Sequence, residues 1–300
     1  MRRTGFTLLE CLIALIITSF LVTAFFRNYL NVKNHFNERE GIETLTEESQ
    51  IIHSLLETDL QGTGFSGCMQ WDNHSPVYDN IQKKWLTSPL SVRNADDPDL
   101  PKNIRERVKP ETQVIEIREM DFFLDTLSNT ASFGSTHVML NENENSSLKS
   151  NNFVMIADCL HAEVNRIIKI THSNNQKEIQ LESPLYFSYD KGSYIGNYKN
   201  TIYFVGDTHR TFNNNEILYG LYLNESEKSE EITDFISDMK ILLGENGQMI
   251  HEKTQGELQL TEINFLKIQM TFTLPYFIHG EKVSINQENN FAFREYHEYQ

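Results

Sequence analysis

With 300 residues, 39% of them hydrophobic and 23% charged, the chain can hold one large domain or two small ones with real cores, and it is too apolar to be disordered throughout. A formal net charge of −16 argues against nucleic acid as a partner of the body, because that role needs Lys and Arg to displace counterions from phosphates. The acidity serves solubility instead.

The chain opens Met1-Arg2-Arg3-Thr4-Gly5 and then runs apolar from Phe6 to Phe26, with Glu10 as its one charge. At about 1.5 Å rise per residue this run crosses a bilayer as a helix. Arg2 and Arg3 hold the extreme amino terminus on the cytoplasmic side and leave the body outside. The run is too long for a secretory signal core and has no small-x-small cleavage site after it. Glu10 is the anomaly. A carboxylate costs roughly 2.5–3.5 kcal/mol at the centre of a span and less near its end, where snorkelling relieves it.

Gly5-Phe6-Thr7-Leu8-Leu9-Glu10 resembles the processing motif of type IV prepilins and type II secretion pseudopilins: a short basic leader ending in Gly, then Phe, then Glu as the fifth mature residue. The resemblance implies cleavage between Gly5 and Phe6 by a prepilin peptidase and N-methylation of Phe6. It also implies a role for Glu10 in assembly, facing the terminal ammonium of a neighbouring subunit. The chemistry fits, since glycine admits an extended backbone into a narrow protease site and paired buried charges offset each other's desolvation. The chain departs from many major pilins in having no proline before Pro76, so a proline kink in the first helix is not expected.

Beyond Phe26 the chain turns polar without helix breakers apart from Gly41. Leu45, Ile52, Leu56 and Leu60, with Ile51 and Leu55 beside them, form one apolar helical stripe. The stripe is expected to pack on the body, a partner coiled coil being the alternative. Three glycines within 62–67 end the helix. The division expected is therefore leader 1–5, membrane and filament-core helix 6–26, amphipathic continuation 27–61 and globular domain 62–300.

Two segments narrow the resemblance. Leu56-Glu57-Thr58-Asp59-Leu60 followed by Gly64-Phe65-Ser66-Gly67-Cys68, and Val154–Ala162 with its Asp158-Cys159-Leu160-His161-Ala162, are similar to segments of PilW-type minor pilins. Asp238–Gly244 is a weaker third match. The family pattern, together with an oxidising compartment, implies a disulfide between Cys68 and Cys159, whereas Cys11 lies in the apolar run.

The rest reads as β-rich, with candidate strands at Gln113–Ile117, His137–Leu140, Phe153–Ala157, Val164–Ile170, Ile202–Val205 and Ile217–Leu223. Alternation through Ile263, Phe265, Leu266, Ile268, Met270, Phe272 and Leu274 marks another strand, with one slip that a bulge would explain. Ile232–Ile241 reads as a short helix running into a strand. Phe291 and Phe293 suggest a last strand, with Tyr296 and Tyr299 in the tail. The fold class expected is α+β, a long helix, transmembrane in its first half, on an antiparallel body.

Chemistry-bearing patterns are missing: no H-E-x-x-H, C-x-x-C, P-loop or G-x-S-x-G occurs. His161 and Asp158 flank Cys159, but a disulfide would remove that thiol. Asp96-Asp97-Pro98-Asp99, the 141–144 loop and Glu225–Glu231 are oxygen-rich without EF-hand spacing. No catalytic residue, metal or cofactor is expected. By resemblance, the partners are other minor and major pilins, prepilin peptidase, the inner-membrane assembly platform and the inner membrane itself. The expected location is single-pass in the inner membrane with a periplasmic body, then the pilus surface. The function that follows from the resemblance is a minor pilin that takes part in initiating type IV pilus assembly, with a place at the tip. The alternatives are a type II secretion pseudopilin and a pilus-borne adhesin.

Overall fold

The computed structural model describes residues 8–69, 71–72, 74–122, 125–141, 147–173, 176–212, 215–225, 228–245, 248–250, 256–258, 265–278 and 281–292. Helix α1 (Leu8–Gly62) is continuous over 55 residues. It is followed by β1 (Val77–Asp79), β2 (Lys84–Leu86), β3 (Leu90–Asn94), the one-turn helix α2 (Lys102–Arg105), β4 (Gln113–Met120), β5 (Asp125–Thr126), β6 (His137–Asn141), β7 (Phe153–Ala157), β8 (Ala162–Ser173) and β9 (Gln176–Leu181). The chain continues through β10 (Tyr194–Thr211), β11 (Ile217–Glu225), β12 (Lys228–Thr233), β13 (Ile236–Glu245), β14 (Gln248–Ile250), β15 (Gly256–Leu258), β16 (Phe265–Thr273) and β17 (Ser284–Ala292). The fold is α+β.

The larger sheet follows the order β15-β3-β4-β10-β7-β8-β1-β2, with β11 and β5 also on β10, β12 on β11, and β9 joining β8 to β6. The smaller is β14-β13-β16-β17. Among the described residues, pairing is antiparallel except where β1 meets β8 in parallel, with Tyr78 beside Glu163. Strand β10 joins the two halves of the large sheet. Its residues 194–197 pair with β7, while 198–203 pair with β4 and its later residues with β11.

The second half of α1 is held where the two sheets meet. Gly41, Leu45, Ser49, Ile52, Leu56 and Leu60 are buried at steps of three and four, the stripe of a 3.6-residue helix. Four of these share a core with Leu90 and Val92 of β3, Ile115 and Ile117 of β4, Tyr203 and Val205 of β10, and the inward faces of β13 and β16. Ile51, expected beside the stripe, is exposed. Gly41 lets the helix lie close, since a β-carbon there would stand 2.7 Å from Leu274 Cδ1. A second core under β6–β9 includes Leu140, Ile156, Ile179 and Tyr189, and a third gathers Met69, Trp71, Val77 and Met155.

One expectation is corrected. Residues 232–241 form no helix; Thr233 ends β12 and Ile236 begins β13. Ile236 and Met239 are both buried although three apart, because a register shift between Ile236 and Asp238 turns both inward. That bulge imitates helical spacing. In β16, Leu266, Ile268, Met270 and Phe272 alternate inward as expected, while Ile263 lies outside the described residues.

Candidate functional site

From Leu8 to Arg39 no described residue of α1 is buried. Its apolar side chains, Leu8 through Phe36, stand exposed around the whole helix rather than on one face. Such a surface is stable in lipid or against other apolar helices. The stretch from Leu8 to Phe26 rises about 28 Å, close to the hydrocarbon thickness of a bilayer. Its hydroxyls suit that setting: Thr18 donates to the Ala14 carbonyl at 2.7 Å and Thr23 to the Ser19 carbonyl at 2.8 Å, so neither donor faces lipid unsatisfied. Glu10 sits in the first described turn, on the exposed surface. Arg2, Arg3, Gly5 and Phe6 lie outside the described residues.

Residues 1–26 match the family described as "Prokaryotic N-terminal methylation motif". The amino terminus is prepilin-type. This supports a type IV pilin-like protein, a structural subunit with a membrane-anchoring helix and a carboxy-terminal globular body, processed by prepilin peptidase and assembled with other pilins. No curated protein sequence matches the chain.

At about 1.5 Å per residue, α1 carries Glu10 roughly 70–80 Å from the helix end, where the body is fastened. The helix terminates through glycines with positive φ, Gly64 at 77° and Gly67 at 88°. The Gly64 N–H donates to the Arg118 carbonyl at 3.0 Å, and Met120 N–H to the Phe65 carbonyl at 2.7 Å, so the turn is stitched onto the end of β4. Cys68 then forms a disulfide with Cys159, 91 positions away, with their Cα atoms 4.8 Å apart. The bond ties the exit of the helix to the β7–β8 turn.

Buried carboxylates gather at the same end. The Tyr203 hydroxyl donates to Asp59 Oδ2 at 2.6 Å, linking α1 to β10. Burial raises the Asp59 carboxyl above its ordinary range, against the lowering effects of that hydrogen bond and of Lys199. Glu119, 3.7 Å from the Lys199 amine, is pushed by burial to about 7. On the other face of β4, Glu116 accepts from Arg118 at 2.8 Å and lies 3.5 Å from Arg93. Burial acts on it most and would raise it, but the cations together hold it below the carboxylate range. Sequence reasoning missed these residues. Asp59 was visible only as part of an acid-rich helix end, and Glu116 and Glu119 show no local sign of burial.

The remaining candidates fall elsewhere. Asp158 Oδ1 accepts the N–H groups of Leu160 and His161 at 2.7 and 2.6 Å, so it shapes the turn that carries Cys159. His161 Nδ1 lies 3.7 Å from the same oxygen, and Cys159 is in the disulfide, so the pair has no thiol nucleophile. Asp97 Oδ1 accepts the Asp99 N–H at 2.8 Å, again a turn contact. Glu231 is bound to Arg210 and to the Tyr222 hydroxyl, and Glu142 and Glu144 lie outside the described residues. Among the described residues no group of three His, Cys, Asp or Glu side chains is arranged to hold a metal. Phe291 is buried in β17, whereas Phe293, Tyr296 and Tyr299 lie outside the described residues.

Proposed function

We propose that the protein is a minor pilin of a type IV pilus, of the PilW-type group, that helps initiate pilus assembly and sits at or near the tip. The observation that carries this reading is the division of α1, whose prepilin-type first half is exposed and apolar while its second half is consumed by the core of the body. In this account residues 1–5 are the leader, 6–26 the membrane and filament-core helix, 27–61 its amphipathic continuation and 62–300 the periplasmic body. Peptidase cuts between Gly5 and Phe6 and methylates Phe6. Glu10 then meets the terminal ammonium of a neighbour, which sets the register of helices that would otherwise slide on apolar contacts alone.

The Cys68 and Cys159 segments and the large body favour the pilus over a secretion pseudopilus. A clean deletion, scored in parallel for surface pili and for exported enzymes, tests this. Loss of pili with secretion intact is the expected result. Loss of secretion with pili intact would move the protein to the pseudopilins.

A further inference from the structure

A cluster of aromatic rings lies on the body, away from the helix. Tyr78 of β1 packs against Tyr186 in a tilted pair at 4.1 Å between ring centroids and lies 4.9 Å from Trp85 of β2. Trp85 meets Tyr186 edge-on at 5.6 Å, and Phe187 carries the His161 ring stacked at 4.5 Å. The cluster is not a finished core, since Trp85 and Tyr186 are 43% and 42% exposed.

The rings are also fixed in place. Glu163, fully buried beneath them, accepts the consecutive N–H groups of Tyr186 and Phe187 at 2.9 and 3.1 Å, and the Asn80 amide at 2.7 Å. Lys83 Nζ bonds Ser183 Oγ at 3.4 Å, joining the β1–β2 hairpin to the segment that carries Tyr186. A surface held this rigidly loses little entropy on binding.

The geometry points to this platform as a binding site for a neutral oligosaccharide. Aromatic side chains of this size carry about 150–250 Å² each, so Trp85 and Tyr186 together offer roughly 150–200 Å². A stable protein interface needs about 800 Å² per partner. The exposed rings thus suit the apolar face of one pyranose unit, while Ser183, bonded to Lys83, and His161, stacked on Phe187, supply polar groups for its hydroxyls. Charge disfavours an acidic ligand, because the whole chain is at −16. The inference goes beyond the pilin assignment and holds for a pilus or a pseudopilus alike.

The test uses the full chain in phosphatidylcholine nanodiscs, titrated calorimetrically with cellopentaose, chitopentaose and galactopentaose. Tryptophan emission gives a parallel readout, because the chain has two tryptophans and Trp71 is buried with its indole bonded to the Leu86 carbonyl at 3.0 Å. Saturable binding of at least one saccharide is expected, weakened about tenfold or more by Trp85→Ala and by Tyr186→Ala and retained by Tyr186→Phe. Phe133→Ala, at a 70% exposed ring outside the cluster, leaves it unchanged. Circular dichroism checks that each variant is folded. Absence of binding to all three saccharides, binding that survives both alanine variants, or a Trp85 response to a purified partner protein alone would overturn the inference.

Discussion

Glu119 lies directly over Gly62, so that a β-carbon added at position 62 would stand 1.7 Å from Glu119 Oε2. The last turn of α1 reaches β4 this closely because position 62 has no side chain, and the Lys199 amine holds the carboxylate from the other side. Gly62→Ala is expected to destabilise the body by about 1–3 kcal/mol, the usual cost of overpacking. In a Glu119→Ala background most of that cost should vanish. Denaturant melts of the four proteins of this double-mutant cycle measure the coupling; additive effects would mean that the two residues do not meet.

Glu163 predicts a pH dependence of stability. Burial raises its carboxyl from 4.5 to about 7, and hydrogen bonds from Phe187, Tyr186, Asn80 and Tyr189 lower it only in part. Between those values the folded state keeps a proton that the unfolded chain has lost. Unfolding therefore releases a proton, and stability falls as pH rises through that window and levels off above it. The fall due to Glu163 is on the order of 3 kcal/mol. Glu119, raised to about 7, adds a fall of the same sign. Glu163→Gln should remove its share, so denaturant melts from pH 4.5 to 8 should show a shallower slope; a slope equal to that of the unaltered protein would refute the assignment.

The Cys68–Cys159 bond closes a sequence separation of 91 residues. On the chain-entropy account, its loss should cost about 4–5 kcal/mol. Removing both thiols by Cys68→Ser with Cys159→Ser should lower the denaturation midpoint accordingly. Non-reducing peptide mapping of the unaltered protein should recover the two cysteines in one linked peptide.

Local pattern carried much of the architecture. The apolar stripe through Leu45, Ile52, Leu56 and Leu60, and the glycines at 62–67, delimit α1 because helix periodicity and termination are properties of neighbouring residues. Phe153–Ala157 was legible for the same reason, as a short apolar run bounded by polar turns. The full length of β10 was hidden by polar Asn197, Lys199 and Asn200, of which Asn197 is hydrogen-bonded to Asn152 and Ser147 and Lys199 pairs with Glu119, partners that only the fold brings together. The bulge in β13 hid a strand behind helix-like spacing. Burial of Asp59, Glu119 and Glu163 was illegible because it arises where elements distant in sequence meet, and a carboxylate in a helix or strand looks the same whether it faces solvent or core. Trp85 and Tyr186, far apart in sequence, join only through the β1–β8 pairing and the contacts around it.

The central claim is that the chain is made as a prepilin, and the most direct measurement is the mass of its amino-terminal peptide from cells with active prepilin peptidase. The account predicts a chain that starts at Phe6 with one added methyl group, and an unprocessed Met1 start when the peptidase is deleted. An intact leader in cells that process their other pilins would contradict it.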